Sequence, residues 1–229
     1  MNTRPDVILI RHGHSVGNAG HTTHNFAEIA LTETGHAQAE RVARDIIERF
    51  GAQAVAHIIV TPYLRTHQTA SPLLNETGLQ PLVWPDLREI TYLQPSKADG
   101  TTYDERALMR AEFWAATAHD PDHKDEGEYP IDSANSFLAR THRALGNLAN
   151  LSSKSSGILV AYAHEFPISA ALSIASGKSD QEIIADMTKR MKPSPPIANA
   201  QAIGLCLIDG KLTLATKNDA DLFPETRLS

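Results

Sequence analysis

The sequence predicts an α/β fold: a three-layer α/β/α sandwich on a mainly parallel sheet, formed as one domain over residues 1–229, with the segment 91–132 inserted over one end of the sheet. Three observations predict it. Continuously apolar runs, Val7-Ile8-Leu9-Ile10, Ile58-Ile59-Val60 and Gly157 to Ala163, suit strands buried on both faces of a parallel sheet. Segments with apolar residues at helical spacing separate them, in the alternating order of βαβ units. No internal repeat and no linker rich in Pro, Gly and Ser divides the chain.

In chain order, the first strand is Asp6 to Ile10, ended by Arg11-His12-Gly13. From Glu33 to Phe50, residues Ala39, Val42, Ala43, Ile46, Ile47 and Phe50 recur at helical spacing, with Thr32 as N-cap and Gly51 as the stop. Val55 to Thr61 is the second strand, and Pro62 falls where the first turn of a helix over about 63–76 tolerates it. Residues 81–90 read as extended, 103–118 as helix and 119–132 as a polar, proline-containing loop. A helix over 133–151, a buried strand over 157–163 and a helix over 167–176 follow, and Pro193-Ser194-Pro195-Pro196 breaks the chain. Asp209-Gly210, between extended segments 200–208 and 211–216, is a two-residue hairpin signal.

Composition narrows the function. With 229 residues, 41% hydrophobic and 21% charged, the chain is long enough to bury a sizeable core, which excludes a disordered polypeptide. No apolar run reaches the roughly 18 residues of a bilayer span. The amino-terminal run stops at Arg11 with no cleavage-site pattern after it, so a cytoplasmic location without membrane association is expected. Cys206 is the single cysteine, which precludes an intrachain disulfide and fits a reducing compartment. A net charge of −6 with scattered Lys and Arg argues against a nucleic-acid partner. Eleven histidines call for acid–base, metal and nucleophilic roles to be weighed. The oligomeric state is not readable from the sequence.

Ligands of open α/β folds gather beyond the carboxyl ends of strands. Three buried strands deliver cationic or protonatable residues there: Arg11 and His12; Arg65, within Thr61-Pro62-Tyr63-Leu64-Arg65; and His164, within Tyr162-Ala163-His164-Glu165. Arginine offers a planar fork of donors and histidine a donor on either ring nitrogen, so a cluster of these suits a phosphoryl group. Gly13 permits close backbone approach beside it.

Arg11-His12-Gly13-His14-Ser15-Val16-Gly17-Asn18 resembles the Arg-His-Gly signature of the histidine phosphatase superfamily, which includes phosphoglycerate mutases and many phosphatases. Leu31-Thr32-Glu33-Thr34-Gly35-His36-Ala37-Gln38-Ala39, Pro62 to Ala70 and Leu87-Arg88-Glu89-Ile90 are similar to further segments of that family, in its order, up to about His164. The resemblance implies a phosphoglycerate mutase-like fold and a phosphomonoesterase acting on a small-molecule or protein-borne substrate, with no metal or other cofactor. His12 would be the nucleophile, forming phosphohistidine. Arg11, Asn18, Arg65 and His164 would hold the phosphoryl oxygens, and Glu89 would be the proton donor and then the base. Glu165 follows His164 where a glycine is common in the family and is the alternative acid. Asn135 stands where many members carry a glutamate, so that glutamate's role does not carry over.

Other readings stay open. A mutase would return the phosphoryl group to its product, yet Gln94 to Gly100 does not resemble the arginine- and proline-rich segments of the family's mutases. A non-catalytic phospho-ligand module would not require His12 together with Glu89. His12 and His14 form a His-x-His pair that a zinc hydrolase uses, but Arg11 and Arg65 would weaken a metal site. His119 to Glu126 offers ligand types without regular spacing, and His21 and His24 read as surface loop or pocket rim. Tyr92, Tyr103, Arg106, Arg110, Phe113 and Trp114 either shape a substrate pocket or pack a helix.

Overall fold

The computed structural model describes residues 4–190, 196–215 and 222–223; the break at Pro193-Ser194-Pro195 and the end of the last extended segment at Thr216 lie outside them. Strands β1 (Val7–Arg11), β2 (Val55–Val60), β3 (Pro81–Val83), β4 (Ile158–Ala163), β5 (Ala202–Ile208) and β6 (Lys211–Leu214) form one sheet in the order β3-β2-β4-β1-β5-β6. Strands β3, β2, β4 and β1 are mutually parallel, β5 is antiparallel to β1, and β6 is antiparallel to β5. The helices are α1 (Glu33–Phe50), α2 (Leu64–Thr77), the single turn α3 (Pro95–Ala98), α4 (Tyr103–Thr117), α5 (Ala134–Ser153), α6 (Glu165–Ala175) and α7 (Asp180–Arg190).

Strand side chains alternate between two apolar layers. Val7 and Leu9 pack with Ala144, Leu148, Ile168 and Ala171 of α5 and α6. Ile8 and Ile10 pack with Val42, Ile46, Ala70 and Leu73 of α1 and α2. This double coverage explains why the strands read as continuous apolar runs. A third cluster joins Phe113 and Trp114 of α4 to Phe137 of α5, Phe166 of α6 and Met187 of α7, tying the segment above the sheet to its helices. No helix among the described residues is long and apolar enough to cross a membrane.

Local chemistry sets the boundaries. The Thr32 hydroxyl accepts from the Gly35 N–H at 3.2 Å at the start of α1. Asp209 and Gly210 both take positive φ, 49° and 75°, the backbone of a type I′ hairpin turn. Two expectations are corrected. The extended reading of residues 81–90 holds only for 81–83, because Pro85 opens a short 3-10 turn over Pro85–Leu87. Pro62 lies before α2 rather than in its first turn, and it is Pro72 that sits inside the helix.

The loop after β1 lies against the start of α1 with no room for a side chain. A Cβ on Gly13 would sit 2.5 Å from the Gly35 carbonyl oxygen, and one on Gly35 would sit 2.0 Å from that of His14. Gly35→Ala should therefore destabilise the fold by about 1–3 kcal/mol or more through overpacking. Gly146→Ala, on the exposed face of α5 with open space around it, should stabilise by roughly 0.5–1 kcal/mol. Urea denaturation of both variants checks the pair, and similar midpoints would contradict the close contact.

Candidate active site

The His12 N–H continues the sheet ladder to the Ala163 carbonyl at 3.0 Å, and the chain then leaves the sheet. The loop it enters is held from α1 and α2. Gly13 N–H donates to Thr69 Oγ1 at 3.0 Å, His14 N–H to Gln38 Oε1 at 2.8 Å, and Thr32 N–H to the His14 carbonyl at 3.0 Å. Leu31 N–H donates to Gln68 Oε1 at 2.8 Å. Thr32, Gln38, Gln68 and Thr69 are thus the scaffold of the His12 loop. They lie in the segments that carried the resemblance, which assigned them no role.

Inside this frame His12 is 5% exposed, and its Nδ1 lies 2.8 Å from the Gly13 carbonyl oxygen. A carbonyl only accepts, so Nδ1 carries the proton and Nε2 keeps its lone pair. Burial, and next the charges of Arg65 and Arg11, push the His12 pKa well below its ordinary value, so the ring stays neutral.

Arg65 sits in the first turn of α2, where the helix dipole disfavours a cation and no side chain caps the end. It is buried, donates from Nη1 to the Phe26 carbonyl at 2.8 Å, and lies 4.7 Å from the centre of the Tyr63 ring. Burial pulls its pKa down to about 10, which leaves it charged at neutral pH. Arg11 pairs through Nη1 with Glu165 Oε2 at 3.0 Å, and its buried Nε has no hydrogen-bond partner. Asn18 Oδ1 accepts from the Ser15 N–H, the Ser15 hydroxyl and Asn199 Nδ2, so the donors Asn18 can offer a ligand are its amide N–H groups.

Arg11, His12, Asn18, Arg65, Glu89 and Glu165 line one cavity of about 180 Å³. Glu89 accepts the Ile90 N–H on Oε1 at 2.9 Å. Burial raises its pKa, against the opposing pull of that N–H and of Arg65, and the Glu165 carboxylate adds to the rise. Glu165 stands at the start of α6, where the dipole favours its charge, and neutralises Arg11.

His164 is not among the lining residues. Fully buried, it stacks edge-on with His12 at 5.2 Å between ring centres. Its Nδ1 lies 3.2 Å from Arg65 Nη2, which can only donate, so Nε2 carries the proton toward Thr61 Oγ1 at 2.9 Å. Both nitrogens are thereby engaged by protein groups. Burial, then Arg65 and His12, depress its pKa well below the usual value. Thr61 had no role in the sequence reading.

The far wall of the cavity is formed by Phe26, Tyr92, Tyr103, Arg106 and Arg110. Phe113 and Trp114 pack in the third core cluster instead. His24 pairs with Asp99 at 3.2 Å, and His14 Nδ1 lies 3.0 Å from Thr32 Oγ1. Asp125, in the loop after α4, is paired with Lys97. Asn135 is exposed and bonds through its N–H to the Pro121 carbonyl. Among the described residues no three His, Cys, Asp or Glu side chains converge as a metal site.

The family model for the histidine phosphatase superfamily, branch 1, matches residues 7–188. The chain belongs to this superfamily. It is 31% identical over 159 residues to a "Probable phosphoglycerate mutase GpmB" of Photorhabdus laumondii, covering 68% of each chain. Against the protein of the same name from Yersinia pestis it is 30% identical over 158 residues, again covering 68% of each. Among solved structures, the α-ribazole phosphatase of Shigella flexneri superposes with a TM-score of 0.68 at 16% identity, covering 94% of this chain and 96% of that one. A mycobacterial glucosyl-3-phosphoglycerate phosphatase complexed with VO3 gives 0.67 at 21% identity, covering 92% and 97%. At these identities the structures share the fold, and superfamily membership makes the chain an enzyme of the phosphatase or mutase type.

Because His12 and His164 titrate lower when folded than the ordinary 6.5, the unfolded chain takes up protons first as pH falls. Their contribution to stability is complete above about pH 6.5 and declines below it, by at most about 1.4 kcal/mol per pH unit for each ring. Urea midpoints should fall between about pH 7 and 5.5, less steeply in His12→Gln; parallel profiles would contradict the depressed value.

Proposed function

We propose that the protein is a metal-independent phosphomonoesterase working through phosphohistidine on His12. The observation that carries this reading is the His12 Nδ1–Gly13 contact at 2.8 Å, which leaves Nε2 unprotonated in a cavity lined also by Arg11, Arg65 and Glu89, whose pKa is raised. Nε2 attacks phosphorus as the bond to the leaving oxygen breaks, and Glu89 gives that oxygen its proton. The phosphorylated ring retains its Nδ1 proton, and its positive charge is met by the Gly13 carbonyl. Water then attacks phosphorus, its proton goes to the Glu89 carboxylate, the N–P bond breaks and inorganic phosphate leaves. Arg11, Arg65 and the Asn18 amide meet the equatorial oxygens, where fixed donors lower the barrier most. His164 holds Arg65 through its Nδ1 lone pair and so acts on the phosphoryl group by fixing that guanidinium.

Glu89 is the better proton donor because burial raises its pKa, whereas Glu165 is committed to Arg11. The mutase reading is favoured by the name of the curated relatives. It predicts phosphoryl return to an acceptor alcohol rather than release of inorganic phosphate. For substrate class, Arg106 and Arg110 on the aromatic far wall favour a phosphomonoester whose alcohol portion carries a second anionic group.

Release of inorganic phosphate from a panel of phosphomonoesters in EDTA tests the reading. His12→Ala should reduce turnover by at least about 10³-fold while vanadate still binds, and retained turnover sinks the assignment. Glu89→Gln should slow alkyl phosphates by about 10²-fold or more but nitrophenyl phosphate far less, because nitrophenolate leaves without a proton; equal losses point to Glu165. Arg110→Ala should raise KM for carboxylate-bearing substrates by roughly tenfold and leave nitrophenyl phosphate unchanged, and equal effects on both would remove the second anion from the substrate class.

A further inference from the structure

The segment that carries Glu89 belongs to no helix or strand. Between the short turn ending at Leu87 and the start of α3, its backbone has no ladder to satisfy it, and buried carbonyl groups need partners. Those partners come from one side chain of α5. Arg140, 2% exposed, donates from Nη1 to the carbonyls of Asp86 at 2.9 Å and Arg88 at 2.8 Å, and from Nη2 to that of Glu89 at 3.1 Å. Its remaining donors close a fork on Asp132, Nε to Oδ1 at 3.2 Å and Nη2 to Oδ2 at 2.9 Å. Asp132, 4% exposed, also accepts from Arg88 Nη2 and from the Thr91 N–H, both at 3.0 Å, while its own N–H donates to the Thr91 carbonyl at 2.7 Å. Leu87 and Ile90, on either side of Arg88 and Glu89, are buried in the core.

We propose that Arg140, locked by Asp132, is the positioning residue for Glu89: it replaces the missing strand neighbour of the acid-bearing segment and fixes where the carboxyl meets the leaving oxygen. The same clamp joins the two ends of the segment above the cavity at Thr91 and Asp132, so the position of the acid and the base of the substrate wall are set together. Lysine cannot substitute, since an ammonium lacks the planar fork that serves three carbonyls and a carboxylate at once. The proposal rests on Glu89 being the general acid.

The test compares Arg140→Lys, Glu89→Gln and the double variant on an alkyl phosphate and on nitrophenyl phosphate, with hydrogen exchange of each folded protein. Arg140→Lys should lower kcat for the alkyl ester by about 10- to 100-fold, as expected for a misplaced acid, and change nitrophenyl phosphate turnover by less than about threefold. In the Glu89→Gln background the same change should have no further effect, because residues acting as a unit are not additive. Amide exchange should rise at residues 88–91 and not in the sheet. Equal losses on both esters, additive losses in the double variant, or unchanged exchange at 88–91 would overturn the proposal. Absence of phosphatase activity in the wild type would instead overturn the reading of Glu89, leaving the exchange result to decide whether Arg140 holds the segment. If Arg140→Lys does not fold, Asp132→Asn, which keeps the volume and one acceptor of the fork, takes its place.

Discussion

The contact between the backbone at Gly13-His14 and that at Gly35 is the constraint on which the site depends. A strand buried on both faces ends in a direction set by the sheet, and the chain beyond it is free to wander unless something seizes it. Here α1 approaches so closely that neither glycine tolerates a Cβ. That proximity lets Thr32 and Gln38 take up the His14 backbone, and lets Thr69 of α2 take up Gly13. The turn so formed points the Gly13 carbonyl at His12 Nδ1. On the proposed reading of His12 as nucleophile, the choice of attacking nitrogen is a consequence of helix-to-loop packing, to which both glycines contribute.

Around that ring the protein concentrates positive charge in a place from which water is largely excluded. Arg65 is held at the end of a helix that repels cations, and its one histidine contact uses a lone pair that Thr61 fixes by accepting the proton from the other side of the His164 ring. Arg11 is balanced by Glu165. The placement of Arg65 opposes the local preference of a cation, and such conflict is expected where function, rather than stability, selects the residue. The compensation is a sheet whose central strands bury apolar runs on both faces, and a clamp whose buried pair, Asp132 and Arg140, is hydrogen-bonded throughout. Loss of one partner from such a pair costs roughly 3–5 kcal/mol, so the clamp is held in place by the penalty for breaking it.

The strands, α1 and the hairpin were legible because each announces itself within a few residues: a continuous apolar run, a threonine cap with a glycine stop, an Asp-Gly pair. Arg11, His12, Arg65 and His164 were legible as a set because each follows the end of a buried strand, whereas Asn18 and Glu89 came from the family resemblance alone. What was not legible required pairing across long separations. Arg140 falls on the buried stripe of α5, three residues after Phe137 and four before Ala144, so an arginine at a core position was the available signal; nothing local says that its partners lie more than forty residues upstream. The engagement of both His164 nitrogens depends on Thr61, about a hundred residues away. Helix α7 carries a capping box, with Ser179 and Glu182 bonded to each other's backbone N–H, but only Ile183, Ile184 and Met187 to mark an apolar face, too few for periodicity to stand out.

In the proposed mechanism the two glutamates divide the work because their surroundings differ, although their intrinsic chemistry is the same. Glu165 begins a helix and is ion-paired with Arg11. Glu89 sits on an irregular segment, takes one backbone N–H and lines the cavity part-buried, which raises its pKa. Moreover, the charge on Glu165 itself helps to hold Glu89 protonated. The carboxylate that neutralises the first arginine thereby tunes the acid across the cavity: removing its charge would lower the barrier to ionising Glu89 while freeing Arg11 to bind phosphate more tightly. Those two effects act in opposite directions on turnover, one weakening the acid step and the other strengthening the grip on the phosphoryl group. On that mechanism, Glu165 therefore sets a balance between phosphate binding and proton transfer.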